Sequence, residues 1–457
     1  MLKYLMQLRD NGVTGEIVKE VVDYYQPILN ERKKRYDRYK AATEGVPIFT
    51  REYEHEPLTD AKINNDFFSE IVDLKTGYFS GVAASYAYDK ESPDYKKASE
   101  VLTRLQVRSN LASLDSRTTR DCAICGVAYR LMYVNPEGEQ QVTMLDPTET
   151  FVLYERDSTI SEFGFRVYVD AEDNVAIDVH DKALIYHFTE IDGVYTEDAD
   201  NRRLHMASLC PVVQYENNDE LQGDAEKVLA LIDAYDRTVS DLNAEIEALR
   251  LAYFAVFGSE LSEETARQMR DVGAFGLPGG TDAKFITKSW DSTVIEKHLD
   301  RIEQNIYQFS KTPNMRDERF GNNSSGVALK YKLSGIESKA SVFERKKIVS
   351  DIRMFQVLAS SWALRKIHFD PWHVIIEHHR NIPMDLNEIA DAVLKFRGIV
   401  SDQTLLSLIP FIDDPAYEQE LIEKQKDGIP SLFKDDDDSG DEDGSRKVQQ
   451  ETGAVGG

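Results

Sequence analysis

The sequence predicts an α+β chain that is mostly helical, and three observations predict it. Hydrophobic spacing is helical up to Cys125, switches to a period of two from Val127 to Tyr215, and returns to helical after Gly223. Two later helical stretches carry narrow apolar seams and flank a small insertion. A third, residues 326–363, contains no proline and one interior glycine, Gly335, and so reads as a single helix of unusual length.

The first 45 residues or so read as helix. A run over 15–25 follows Val13 and Thr14, Pro27 is expected to break it, and a basic stretch follows at 31–40. Glu31, Asp37 and Glu44 dilute that basic run, which reads as a solvated face rather than a nucleic-acid arm. From Thr59 onward, Ile63, Phe67, Ile71, Leu74 and Tyr78 share one helical face, ended by Gly81. Ser92 and Pro93 then open a helical pair that reaches Cys125, with a break near Ser109. Val127, Tyr129, Leu131 and Tyr133 alternate with Ala128, Arg130 and Met132 before a turn at 135–138. Further strands are expected at 142–145, 151–154, 163–169, 175–179, 184–188 and 212–215, together an antiparallel meander.

In the second half, Asp224 is the expected N-cap of a helix whose Val228, Ile232, Tyr235, Val239, Leu242, Ile246 and Leu249 recur at heptad spacing. Ile295, Leu299, Ile302, Ile306 and Phe309 repeat the pattern. Such seams fit either helices packed on their own domain or helices packed side by side in an oligomer. Between them, residues 251–290 read as a strand at 252–257, a helix at 262–270, strands at 273–277 and 284–287, and a turn at 278–280. The Gly- and Asn-rich loop 320–326 leads into the long helix, with Ser324 or Ser325 as its N-cap. Beyond Pro371, a short strand at 372–377 and helices at 385–397, 401–409 and 415–427 are expected. The acidic tail from Gly428 lacks the hydrophobes needed to fold.

Length alone suggests about three domains. No apolar run approaches the roughly 20 residues that cross a bilayer, and the first ten residues lack signal-peptide features, so a soluble intracellular product is expected. Three cysteines argue against a disulfide framework. A formal charge of -27 argues against a broad grip on DNA phosphates.

Little points to catalysis. Cys122 and Cys125 have C-x-x-C spacing but no second ligand pair, and read as structural thiols. His378 and His379 lack a spaced companion ligand. The loop 321–326 looks like an anion cradle but lacks the Lys-Ser/Thr of a nucleotide site. A helix-turn-helix reading around Gly398 fails because residues 402–409 contain no Arg or Lys. We expect no enzyme, no cofactor and no metal.

Several segments taken together resemble portal proteins of tailed bacteriophages with long non-contractile tails. They are TPNMRDERFGNNSSGVALKYK at 312–332, KINNDFFSEIVDLKTGYFSG at 62–81, ENNDELQGD at 216–224 with LIDAY at 231–235, and RNIP at 380–383, in the order the family has them. The resemblance implies a portal-like fold and a ring, usually of twelve subunits and sometimes thirteen in isolation, at one vertex of the viral head. It assigns 1–223 to the wing, 224–250 and 292–311 to stem helices, 251–291 to the clip and 312–325 to the tunnel loop. Residues 326–382 become the long helix and its return to the wing, 383–428 a crown, and 429–457 the acidic tail.

The partners the resemblance implies are the terminase large subunit, a head-completion or adaptor protein, scaffolding and major capsid proteins, and double-stranded DNA passing through the channel, with no membrane. The location it implies is the virion, after assembly in the host cytoplasm. On this reading Asn322, Asn323, Ser324, Lys330 and Lys332 lie near DNA, and Glu296, Asp300 and Glu303 line the stem. Ile232, Tyr235, Val239, Leu242, Ile246, Ile295, Leu299, Ile302 and Ile306 form the subunit seam. Two other classes compete with it: a coiled-coil scaffold without DNA passage, which would be a dimer or trimer, and a metal-dependent nuclease, which would cleave DNA.

Overall fold

Thr14 starts the first long helix as expected, its hydroxyl oxygen accepting from the Ile17 amide. The structure is a computed structural model that describes residues 2–52, 61–155, 158, 160–249, 253–257, 267, 282–286, 292–315, 326–382, 386–409, 412 and 415–427. Nearly all of the expected helix 262–270, the strand 273–277, the cap at Ser324 or Ser325 and the tail from 428 fall outside these. The chain divides into two compact units, Met1–Ile382 and Pro383–Gly457.

In the first unit, α1 (Leu2–Asn11) and α2 (Gly15–Tyr39) lead the chain. Pro27 does not break α2, contrary to expectation. It sits on the exposed face, where the carbonyl it leaves unbonded meets water, so the helix continues through it. The opposite face buries Ile17, Val18, Val21, Val22, Tyr25 and Leu29. They pack on a sheet of β4 (Thr150–Leu153), β5 (Phe163–Val169), β6 (Val175–His180), β7 (Leu184–Ile191) and β8 (Val194–Glu197), with β9 (Arg203–Leu204) also on β7. Tyr25 stacks on Phe151 at 4.1 Å and Phe151 on Phe165 at 4.9 Å between ring centres, locking helix to sheet.

The single expected meander is in fact two sheets. β2 (Val127–Val134) pairs with β3 (Gln140–Leu145) on one side and with the late strand β10 (Val212–Glu216) on the other. Alternation marks each strand but not its neighbour, which is why the division could not be read locally. On this smaller sheet pack α3 (Phe67–Ser80), α4 (Tyr95–Ser109) and α5 (Leu111–Cys125), together with the long helix α8 (Gly326–Leu364). Gly126 ends α5 at φ 82, its amide donating to the Cys122 carbonyl. A side chain there would run into the Leu221 backbone, so the position requires glycine.

Ile63 lies outside α3, contrary to expectation. Its amide donates to the Ser240 hydroxyl at 3.0 Å and that of Asn65 to the Asp236 carboxylate at 2.9 Å. These side chains of α6 (Leu229–Leu249) hold residues 63–65 outside the helix, which starts at Phe67. The two-stranded pair of β1 (Ser85–Tyr88) and β13 (Val374–Glu377) joins distant parts of the chain; Trp372 belongs to the preceding 3₁₀ turn, not to the strand. In the insertion, β11 (Tyr253–Phe257) pairs antiparallel with β12 (Asp282–Ile286), and α7 (Ser292–Ser310) leads back from it.

The second unit contains α9 (Leu386–Phe396), α10 (Asp402–Leu406) and α11 (Pro415–Asp427). Gly398 follows α9 at φ 81, and the Ser401 hydroxyl caps α10 by accepting from the Thr404 amide.

Candidate functional site

The helices α6 and α7 run out to the β11–β12 pair and back, packing on each other at their base. Ile232, Ile302 and Ile306 are buried there with Phe67, Phe68, Ile71 and Tyr307. Phe67 meets Tyr235 and Tyr307 edge-on, and the Tyr307 hydroxyl donates to Glu70 at 2.8 Å. These three isoleucines, expected in a subunit seam, are enclosed by side chains of their own chain at the base of the pair. Tyr235, Val239, Leu242, Ile295 and Leu299 are half-buried, and Ile246 is exposed. The heptad repeat thus turns from a core contact at the base into open surface further out.

Of the expected stem-lining carboxylates, Glu296 and Asp300 are exposed, interspersed with exposed Lys297, His298 and Arg301, so this stretch of α7 is mixed in charge. Glu303 is half-buried and accepts from the Asn314 side chain at 3.1 Å. Lys330 is exposed and Lys332 half-buried on the early turns of α8. Asn322, Asn323 and Ser324 lie outside the described residues.

Two ionic clusters that the sequence reading missed tie these parts together. In the first, Arg130 donates to Asp115 at 2.8 Å and reaches Asp351 at 3.4 Å, while Lys347 lies 2.8 Å from Asp115 and 2.7 Å from Asp351. Tyr86 donates to Asp115 and Tyr215 to Asp351, both at 2.9 Å. All four charged groups are buried, two of each sign. Burial by itself would raise the Asp115 carboxyl, but Lys347 and Arg130 outweigh it and hold the group well below the usual carboxylate range. The cluster joins α5, β2 and α8. Only Lys347 and Asp351, four apart on one helix, were near enough in sequence to signal it.

The second cluster displaces an expectation. Asp224 does not cap α6, which begins only after a 3₁₀ turn over Glu226–Val228. Its carboxylate instead meets the ammonium groups of Lys75 at 2.8 Å and Lys339 at 2.5 Å. Lys75 also donates to the Asn217 side chain, and Lys339 to the Ser310 carbonyl at 2.9 Å. Burial pushes the Asp224 carboxyl up, but the two lysines bring it below its ordinary value. Lys339 is lowered, first by burial and then by Lys75 against the pull of Asp224. A cleft of about 310 Å³ opens beside this cluster, between the end of α7, one flank of α8 and the loop 217–224.

Cys122, Cys125 and Cys210 are buried free thiols, all pushed up by burial, Cys210 to about 12. Such thiols are poor nucleophiles and poor metal ligands. Among the described residues no group of three or more His, Cys, Asp or Glu is placed to hold a metal ion, and no helix is long and apolar enough to cross a membrane.

The family described as "Phage portal protein, SPP1 Gp6-like" matches residues 21–430. The chain is 25% identical to a "Portal protein" of Bacillus phage SPP1, over 92% of this chain and 86% of that protein. It is 23% identical to a "Portal protein" of Clostridium phage phiCD119 (strain Clostridium difficile/United States/Govind/2006), over 90% of this chain and 95% of that one.

Proposed function

Because this chain belongs to the SPP1 Gp6-like family of phage portal proteins, we propose that it forms a ring-shaped channel at one vertex of the viral head, through which double-stranded DNA is packaged and later ejected. The observation that carries this reading is the helix pair α6 and α7, which leaves the body, presents the β11–β12 pair and returns. Twelve such pairs side by side would wall a channel, with the insertion 251–291 as the clip. There the clip meets the terminase large subunit and afterwards a head-completion or adaptor protein, while scaffolding and major capsid proteins surround the ring. Tyr235, Val239, Leu242, Ile246, Ile295 and Leu299 remain available along the stem for contacts with the neighbouring subunit.

The channel acts without catalysis or a cofactor. A wall that is mixed in charge rather than strongly basic suits it, since strong phosphate contacts would stall moving DNA. Glu296 and Asp300 face that path on the stem, with Asn322, Asn323, Ser324, Lys330 and Lys332 nearest the duplex at the tunnel loop. The protein works in the virion after assembling in the host cytoplasm.

The test is the native mass of the purified protein, with electron-microscope images of the same peak. The expected result is a ring with a central hole and about twelve times the 52.1 kDa mass of one chain, or thirteen when isolated. A stable, elongated dimer or trimer would instead identify a coiled-coil scaffold.

A further inference from the structure

The cleft beside Asp224 is short of negative charge. Lys75 and Lys339 share the one carboxylate of Asp224 at its floor, and Lys227 and Lys311 stand exposed on its rim. Among the described residues neither Lys227 nor Lys311 forms an ion pair. Two more acids line the cleft, but Asp219 is taken by Lys346 at 2.8 Å, leaving only Glu220. Lys75 and Lys339 divide a single carboxylate, and Lys227 and Lys311 are solvated with no counter-charge beside them among the described residues, so the cleft is locally basic and suits an anionic group from outside.

We propose that this cleft receives a carboxylate-bearing segment of a second copy of the chain, making it one half of the contact between neighbouring subunits. The proposal rests on the ring reading and gives that ring a defined surface. Three features favour a second copy. A cleft of about 310 Å³ admits side chains and is too small for a duplex. Its rim is also apolar, with Phe309 and Val342 exposed by 54% and 38%, which suits a protein segment better than a phosphate. Finally, the chain carries 81 acidic against 54 basic residues, so a second copy offers a surplus of carboxylates to a locally basic cleft. A ring closes through unlike faces, as a basic cleft on one subunit and a carboxylate-bearing segment on the next would be.

The experiment compares assembly of the full chain, of Lys227→Glu/Lys311→Glu, of Val342→Asp, and of Val169→Asp as a control at an exposed site on another sheet. Sedimentation over a concentration series gives the point of half-assembly, and thermal melting of dilute protein checks the fold. We expect both cleft variants to need at least about tenfold more protein to assemble, at an unchanged melting midpoint, while the control assembles normally. If the cleft variants form rings at the wild-type concentration, the proposal is overturned and the ring reading stands. If those normal rings fail to package, the lysines belong to DNA handling instead, which also overturns it. A wild-type chain that forms no ring alone or in co-expressed capsids sinks the ring reading and this proposal with it.

Discussion

Arg130 shows how much one buried charge can control. Replacing it with methionine leaves Lys347 alone against Asp115 and Asp351, and should lower unfolding stability by about 3–5 kcal/mol in urea titrations. A loss below about 1 kcal/mol would mean that water reaches the cluster. Acid should act through His180 and His378, which burial lowers to about 4 each, and whose Nδ1 and Nε2 respectively lack a hydrogen-bond partner. Because the folded values lie below the ordinary histidine value of about 6.5, the unfolded chain takes up protons first. Stability is therefore full above pH 6.5 and falls progressively toward pH 4. His378→Gln should flatten that fall by on the order of 2 kcal/mol, read from urea midpoints at several pH values. The same reading makes Cys122, Cys125 and Cys210 inert: iodoacetamide should label none in the native protein and all three in denaturant, as mass spectrometry would show. The sequence foretold inert thiols, because C-x-x-C without further ligands has little else to do. It could not foretell the ionic clusters, whose members are drawn together from up to about 260 residues apart by folding alone.

At the scale of elements, local signals were legible and partnerships were not. Thr14, Gly81, Gly126 and Gly398 all mark helix ends, Thr14 through its hydroxyl and Gly126 and Gly398 through positive φ, while Gly81 ends α3 at an ordinary φ of -69. Gly126→Ala should cost about 2–3 kcal/mol, since alanine would be both strained at that φ and pressed into Leu221. An unchanged denaturation midpoint would show that the loop 217–224 yields. Pro27 tests the opposite case: with its exposed position and an intact helix around it, Pro27→Ala should stabilise the chain by about 1–3 kcal/mol. Where a pattern needed a distant partner it misled. Asp224 has the right residue type and place for an N-cap, yet Lys75 and Lys339 claim its carboxylate. The heptad spacing of α6 and α7 marks an apolar stripe, and at its inner end the stripe is covered by α3 of the same chain.

For the whole molecule, the family was legible because its segments recur in order along most of the chain, even though no single one carries a chemical signature. The large acidic excess sets the expected behaviour toward DNA: at about 150 mM salt the purified chain should retain almost no duplex on filters, and tight retention would contradict a conduit that lets DNA slide. The buried four-charge cluster also bears on how such a chain can change through descent. Losing Arg130 alone, or Asp351 alone, leaves an unbalanced charge in the dry interior, so the first step of any replacement is harmful and only its second restores neutrality. Lineages should therefore either keep Asp115, Arg130, Lys347 and Asp351 as a set or exchange them in oppositely charged pairs, and a relative lacking just one of them would mark a cluster caught midway.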